Sequence, residues 1–361
     1  DVHMSRGLGD VYKRQLTNTI LLIWFERKVV AGMQSRVGPD RAGPFGILQT
    51  LADAIKLLLK EQILPSKADR AMYLLAPLIA LVPSFLIFMI IPLGPDITVE
   101  WQNALYTIPL VGADLNVGVL YFLALSSIAV YSVVLAGWSS GSKYPLLGGV
   151  RASAQMISYE AAMGLALVPV ILYSGSLSLV DIVNSQSGNL SSSIPILNTI
   201  VSFIPKWNIF PQFVAFGIFF IAAVAEVNRA PFDLVEAEQE LVGGFHTEYS
   251  GFRFAMFFLA EYINMFNMCA ITATFFLGGW LGPTFEGILP PIFSVIMPII
   301  WLGVKTFLLL FVFVWIRATL PRLRYDQLME LGWKRMIPLS LVWLILSAIV
   351  LGLREFGLPW S

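Results

Sequence analysis

The chain has 361 residues, of which 57% are apolar and only 13% are charged, and its mean hydropathy is +0.76. A soluble domain carries about 25% charged residues, so this composition predicts a protein whose main solvent is lipid. The 23 basic and 23 acidic side chains balance to a net charge of zero, which argues against binding of nucleic-acid phosphates.

Side chains that bind metals and redox cofactors are almost absent from the sequence. Cys269 is the only cysteine, and His3 and His246 are the only histidines. This set cannot form a disulfide, an iron–sulfur cluster or a four-ligand zinc site. No glycine-rich nucleotide-binding motif is present either. We therefore expect the chain itself to hold no metal and no nucleotide.

The chain starts with a polar, charged segment, residues 1–15, that lacks the apolar core of a signal peptide. We expect this segment to be non-native or disordered, and residues 16–361 to form a single polytopic membrane domain. The first apolar run, Leu16–Phe25, covers only half of a bilayer at about 1.5 Å per residue. We interpret it as a truncated membrane span.

Longer apolar runs follow along the rest of the chain. A spanning helix requires roughly 20 mostly apolar residues. The sequence therefore predicts an all-α integral membrane protein with about eight transmembrane helices, the truncated first one included. The seven long runs are Met72–Pro92, Val117–Ala136, Ala152–Tyr173, Asn208–Glu226, Phe254–Leu277, Ile292–Trp315 and Met336–Leu353.

The distribution of Lys and Arg predicts the orientation of the spans. Outside the N-terminal segment and the spans, all Lys and Arg residues except Lys206 and Arg354 lie in the loops after spans one, three, five and seven. Basic loops stay on the cytoplasmic side of a membrane. We expect these four loops to face the cytoplasm, and the Ser- and Asn-rich loop 174–206 to be an outward connection.

The first cytoplasmic loop contains a second kind of helix. The stretch Phe45–Glu61 has apolar residues at helical spacing and a polar side that includes Asp53, Lys56 and Lys60. This pattern predicts an amphipathic helix that lies along the membrane surface. On periodicity alone, a surface helix that only anchors the loop is the favoured interpretation.

An acidic segment follows the fifth span. Residues 226–248 hold six carboxylates against one cation, Arg229. If the segment is helical, Asp233, Glu236 and Glu240 share one face, and like charges on one face raise some of their pKa values. The functional interpretation is that the segment exchanges protons with a water-filled cavity. The alternative is a solvated acidic loop. The carboxylates are Glu226, Asp233, Glu236, Glu238, Glu240 and Glu248.

Three ionisable residues lie inside predicted spans: Glu160, Glu261 and Lys305. A charge within the membrane costs at least about 2–3 kcal/mol and usually marks an ion or proton pathway. Structural pairing, for example of Glu261 with Lys305, is the alternative for any one of them. Three such residues beside an acidic loop favour a proton path through the membrane.

Arginine and aromatic residues cluster after the seventh span, between Trp315 and Asp326. Such residues can be simple interfacial anchors. With the acidic loop and the amphipathic helix, they place the dense polar groups on the cytoplasmic side. A cavity walled by apolar groups with a few charges fits a ligand that has a polar head and an apolar tail.

Two long motifs make a family resemblance visible. Gly46–Glu61 reads GILQTLADAIKLLLKE, and Pro231–Gly244 reads PFDLVEAEQELVGG. With them the chain, from about Leu16 to its C-terminus, closely resembles the membrane-embedded H subunit of respiratory NADH:quinone oxidoreductase (complex I), called subunit 1 in mitochondria. Shorter matching stretches are Glu26–Lys28, Arg36–Pro39, Arg151–Glu160, Thr247–Gly251 and Arg317–Leu328.

The resemblance implies a subunit that forms a quinone chamber with the peripheral subunits and links quinone reduction to proton pumping in a bacterial inner membrane. Quinone is then the substrate, while NADH, FMN and the iron–sulfur clusters belong to partner subunits, and the isolated chain has no activity. The implied quinone-binding residues are Arg27, Arg36, Asp53, Lys56, Phe232 and Arg317. The implied carboxylate path is Glu160, Glu226, Asp233, Glu236, Glu238, Glu240 and Glu261.

Other functions fit part of the sequence. Buried charges also suit a stand-alone proton-coupled transporter, which would move ions without partner subunits. The membrane subunit of an energy-converting hydrogenase is a related alternative that reduces no quinone. A purely structural anchor would require substitutions of the carboxylates to be silent.

Overall fold

The computed structural model describes residues 2–101, 104–188, 205–233, 243–283 and 292–356. Within these ranges the fold is helical apart from one small hairpin. The elements are α1 (Val2–Met33), a 3-10 turn (Pro44–Gly46), α2 (Gln49–Leu59), α3 (Arg70–Met89), β1 (Ile97–Trp101), β2 (Ala104–Ile108), α4 (Gly118–Ser139), α5 (Lys143–Ser174), α6 (Leu179–Ser185), α7 (Phe213–Glu226), a second 3-10 turn (Gly244–His246), α8 (Gly251–Phe276), α9 (Ile292–Thr319), α10 (Tyr325–Glu330), a π-helical turn (Leu331–Met336) and α11 (Ile337–Phe356).

Six helical segments of the described residues are long and apolar enough to cross a membrane: α3, α4, α5, α8, residues 296–319 of α9, and the continuous segment 325–354 that ends in α11. The apolar helix α7 is shorter, with 14 residues. These seven helices coincide with the seven long runs of the sequence. The prediction of an all-α integral membrane protein is therefore confirmed.

Helix α1 is longer than the ten-residue run Leu16–Phe25 that predicts a truncated span. It extends over 32 residues, from Val2 to Met33. Thr19 is compatible with this helix because its hydroxyl donates to the Gln15 carbonyl at 2.8 Å. The helix includes residues 2–15, and our expectation that 1–15 is non-native or disordered stays a prediction.

The helices pack around a shared apolar core. Helix α4 lies against α3 and α5, α5 also contacts α7 and α11, and α8 lies against α3 and α9. Buried aromatic side chains fill the contacts between them, and the largest are Tyr73, Tyr159, Phe122, Phe219, Phe275 and Phe276.

The loops predicted to face the cytoplasm meet at one end of the helices. The Asp69 N–H donates to the Ser139 carbonyl at 3.0 Å, and the Leu323 N–H donates to the Pro231 carbonyl at 3.0 Å. The Tyr73 hydroxyl donates to the Glu248 carbonyl at 2.7 Å. We call this the cytoplasmic end, and it gathers the side chains of the candidate site.

A two-stranded antiparallel hairpin differs from the all-helical expectation. Strands β1 and β2 lie between α3 and α4, with Ile97 opposite Ile108. The sequence Thr-Val followed by Tyr-Thr on the facing strands is rich in the β-branched and aromatic residues that favour pleated structure. The segment is too short to give a clear periodic pattern, which explains why the sequence does not predict it.

The predicted amphipathic helix of the first cytoplasmic loop is α2. The Thr50 hydroxyl on its buried side donates to the Ile20 carbonyl of α1 at 3.3 Å. Its apolar side, with Leu51, Ile55 and Leu58, is exposed. A helix with an exposed apolar row is suited to a membrane surface or to another apolar partner.

A close contact between backbones fixes the third cytoplasmic loop against α5. A Cβ atom added at Gly148 would lie 2.7 Å from the Cα atom of Gly244. Only two glycines can approach so closely, since neither has a side chain between the backbones. The 3-10 turn Gly244–His246 is thereby held directly against α5.

We expect Gly148→Ala to destabilise the fold by about 1–3 kcal/mol, because the new methyl group meets backbone that cannot move aside. The measurement is the rate at which Cys269, a fully buried cysteine, reacts with a thiol reagent in native membranes. Faster labelling reports easier unfolding. Gly164→Ala on the same helix is the control, because its Cβ would only touch Leu123 at 4.0 Å. Equal labelling of the two variants would contradict the proposed contact.

Candidate functional site

A buried carboxylate, Glu26, lies at the centre of the cytoplasmic end. Only 3% of Glu26 is exposed. Its Oε1 atom lies 3.2 Å from Nη1 of Arg229, and the same oxygen accepts a hydrogen bond from Nη1 of Arg317. These residues come from α1, from the loop after α7 and from α9. One carboxylate therefore joins three distant parts of the chain.

Arg229 extends this cluster to a second carboxylate. Its Nε atom lies 2.7 Å from Oε1 of Glu261 in α8, and its guanidinium carbon lies 4.4 Å from the centre of the Tyr262 ring. Burial disfavours the charged form of Arg229, but Glu261 and Glu26 outweigh this effect and raise its pKa well above the ordinary value. The two arginines and the two glutamates form a buried network whose formal charge is zero.

The start of the acidic segment lies against this network. Asp233 is buried, and its carboxylate lies 3.3 Å from Nη2 of Arg322. Phe232 is also buried, with its ring edge on Tyr159 at 5.4 Å between centroids. The Gln155 amide donates to the Phe232 carbonyl at 2.8 Å. Helix α5 therefore fixes the backbone that positions both Phe232 and Asp233.

Glu160 and Glu226 form a second group of carboxylates, the first half-buried in α5 and the second buried at the end of α7. Ser126 donates to Glu226 at 2.7 Å, and its neighbour Ser127 donates to Glu160. Adjacent serines of α4 thus hold carboxylates from α5 and α7. In the part of the chain that the structure describes, neither glutamate has an ion pair.

A cavity joins the two groups of carboxylates. Its volume is about 70 Å³, which is room for at least two waters at about 30 Å³ each. Its wall includes both Glu226 and Glu261 of the arginine network. The remaining polar groups on the wall are Ser132, Asn228, His246 and Asn264. A chain of waters between Glu226 and Glu261 would fit this space.

Other predicted quinone-binding residues lie on the surface of the cytoplasmic end. Asp53 of α2 lies 2.6 Å from Nη1 of Arg27 and accepts from the Gln49 amide at 3.1 Å. Arg36 donates to the Gln34 side chain at 2.7 Å. Lys56 is exposed on α2. Arg317 connects this surface to the buried network, since 35% of its side chain is exposed.

Lys305 lies away from the other predicted residues of the proton path. Its ammonium donates to the carbonyls of Leu277, Gly279 and Leu281, which follow the C-terminal end of α8. Leu277 is 16 residues beyond Glu261, a distance of about 24 Å along a helix. The possible pairing of Glu261 with Lys305 is therefore wrong, because Arg229 pairs with Glu261 and Lys305 instead caps the opposite end of α8.

Three predicted residues of the proton path, Glu236, Glu238 and Glu240, lie outside the described residues. The helical face predicted to be shared by Asp233, Glu236 and Glu240 also depends on residues outside the described ranges, although Asp233 itself is described. Among the residues that the structure describes, no group of three His, Cys, Asp or Glu side chains could hold a metal ion.

Glu26 and His246, like Arg229, belong to this arrangement but are not predicted as site residues by the sequence. Glu26 stands out there only as part of a family motif, although a carboxylate directly after an apolar run, beside Arg27, is a usable signal. His246 gives no signal, because a single histidine outside any motif is unremarkable in a sequence. The structure brings both of them to the cytoplasmic end.

Comparisons with known proteins match nearly the whole chain. A family profile described as NADH dehydrogenase matches residues 13–348. The second H subunit of NADH-quinone oxidoreductase in Koribacter versatilis is 47% identical over 94% of this chain and 94% of its own length. The H subunit of Frankia alni is 51% identical over 94% of this chain and 70% of its own length. The second H subunit of Geobacter metallireducens is 52% identical over 91% of this chain and 89% of its own length.

We expect Glu26→Gln to destabilise the fold by about 3–5 kcal/mol, because it leaves Arg229 and Arg317 buried with too little negative charge. Labelling of Cys269 in native membranes should then be at least about 100-fold faster, since 1.4 kcal/mol is a factor of ten. Asp326→Asn is the matched control, because its pair with Arg324 is exposed at 66% and 76%. Unchanged labelling of the Glu26 variant would show that the network does not support the fold.

Proposed function

This chain belongs to the NADH dehydrogenase family, that of the H subunit of NADH-quinone oxidoreductase, and we propose that it forms the membrane side of a quinone site and couples quinone reduction to proton movement. It is a multi-pass membrane subunit of this oxidoreductase, and the other subunits are its partners. We place it in a bacterial inner membrane. NADH, FMN and the iron–sulfur clusters are then held by partner subunits.

The proposed quinone chamber opens at the cytoplasmic end. A quinone has a head with two carbonyl oxygens, which accept hydrogen bonds, and a long apolar tail. The exposed apolar row of α2, with Leu51 and Ile55, suits the tail, and the partly exposed guanidinium groups of Arg27 and Arg317 suit the head. Arg36 and Lys56 belong to the rim, and Phe232 to the wall.

Reduction of the quinone changes the charge beside the arginine network. A quinone that gains two electrons and two protons becomes a neutral quinol, and before the protons arrive it carries negative charge. That charge would compete with Glu26 for Arg317, whose guanidinium is partly exposed, and would thereby also change the charge balance at Arg229, which shares Glu26 with it. A weakened hold of Arg229 on Glu261 would let Glu261 take up a proton.

The single observation that supports coupling into the membrane is the cavity with both Glu226 and Glu261 on its wall. Water in this space can pass a proton between Glu261 and the pair Glu226 and Glu160, which have serine partners and no cation among the described residues. The proposal also includes Asp233 and the acidic residues Glu236, Glu238 and Glu240. Lys305, at the opposite end of α8, is not needed for it.

We expect Glu226→Gln in the assembled complex to lower quinone-dependent NADH oxidation at least about tenfold, because an amide keeps the shape of the side chain but cannot exchange a proton. The quinone KM should stay the same. The control is Asp181→Asn, whose carboxylate pairs with Ser176 at 2.8 Å away from the site. Full turnover of the Glu226 variant would remove the proposed coupling role.

We expect Asp53→Asn to change the quinone KM by about two- to fivefold with little change in kcat, because it releases Arg27 from an exposed ion pair worth up to about 1 kcal/mol. Initial rates at varied quinone concentration measure this. Asp40→Asn is the control in the same loop, since Asp40 pairs with Lys28 at 3.4 Å. If both variants behave alike, α2 is an anchor and does not contact quinone.

A further inference from the structure

We propose that His246 orders the water between Glu226 and Glu261 by donating a hydrogen bond from its imidazole ring into the cavity. This inference rests on the proposed function, since it concerns the same proton route. His246 is a positioning residue in this scheme: it holds the water molecules and takes no proton itself.

Aromatic neighbours hold the imidazole ring at the cavity wall. Its centroid lies 3.8 Å from that of Phe245, 5.3 Å from that of Phe257 and 5.6 Å from that of Phe254. These rings restrict the orientations open to the imidazole. The ring also lines the cavity that contains Glu226 and Glu261. It is therefore held where its nitrogens can reach cavity water.

Contacts with α5 and a hydrogen bond also hold the backbone of His246. The residue ends the 3-10 turn that begins at Gly244, and Gly244 touches Gly148 of α5. The Tyr249 N–H donates to the His246 carbonyl at 2.9 Å. Since α5 also contains Glu160, the turn keeps His246 at a constant position relative to the intramembrane carboxylates.

The cavity wall contains two hydrogen-bond acceptors that lack a donor within the described part of the chain. Oε2 of Glu226 and Oδ1 of Asn264 are buried and have no hydrogen-bond partner among the described residues. The Ser132 hydroxyl already donates to the Ala129 carbonyl at 2.6 Å. A water that donates to both free oxygens has used its two protons and must accept from another group. The imidazole N–H of His246 is suited to be that donor.

The protonation state of His246 fits this role. Burial lowers its pKa to about 3, because the surrounding protein removes its hydration. Cavity water reduces this effect, but the ring stays neutral at physiological pH and keeps one N–H donor and one acceptor nitrogen. The ionisable groups on the same wall are Glu226 of α7 and Glu261 of α8. A neutral ring orders water between them and does not trap a proton on its way.

The test compares three variants in the assembled complex. His246→Phe and His246→Leu keep an apolar side chain in the aromatic surround but remove the N–H group, whereas His246→Gln keeps an N–H donor. We expect kcat for quinone-dependent NADH oxidation to fall at least about fivefold in the Phe and Leu variants. The Gln variant should stay within about threefold of the unmodified chain, and the quinone KM should not change.

Two outcomes would overturn the role of His246: full kcat in the Phe or Leu variant, or a loss in the Gln variant as large as in the Leu variant. Labelling of Cys269 identifies a variant that is misfolded. If the Phe variant is misfolded, the comparison of the Gln and Leu variants decides whether the N–H donor is needed, because both replace the ring with a flexible chain. Glu226→Gln is measured alongside. If it is impaired while the Phe and Leu variants are not, the His246 inference fails and the proposed function stands. If Glu226→Gln has full turnover, the proposed function itself fails.

Discussion

The buried ion-pair network around Glu26 is the interaction on which the cytoplasmic end of this protein depends. Charges out of water cost several kcal/mol each unless they are paired and hydrogen-bonded. Glu26, Glu261, Arg229 and Arg317 meet the first condition together, since each carboxylate has a guanidinium within reach, while Oε2 of Glu26 and Nη2 of Arg229 are buried with no hydrogen-bond partner among the described residues. Because the four residues come from α1, α8, α9 and the loop after α7, the pairing also sets how these elements meet.

The protein stabilises its buried carboxylates in two different ways. Those of the network are paired with arginines. Glu160 and Glu226 are held by adjacent serines of α4, and their described surroundings contain no cation. A carboxylate without a cation gains or loses a proton more readily when a neighbouring charge changes. The cavity lies where these two environments meet, which is why we regard it as the point of coupling.

The opposite end of the helices has a different architecture. There Lys305 uses its ammonium to satisfy the free carbonyls after α8 and lies 4.2 Å from the ring centre of Trp207. Free carbonyls at the end of a helix need donors, and a lysine inside an apolar helix can supply them. A lone intramembrane charge is therefore an ambiguous signal: Glu261 pairs with Arg229 in the buried network, whereas Lys305 caps a helix.

The sequence by itself determined the spans, the amphipathic helix α2 and the family, because hydropathy and motifs are local properties of the chain, and its charge bias predicts the orientation. It also identified Glu160, Glu226, Asp233 and Glu261 as unusual. Only the tertiary structure decided which charges meet: Arg229 and Arg317 are 203 and 291 residues from Glu26 along the chain. Contacts of that range depend on how the helices pack, as do the cavity and the place of His246 in its wall, and no local pattern specifies them.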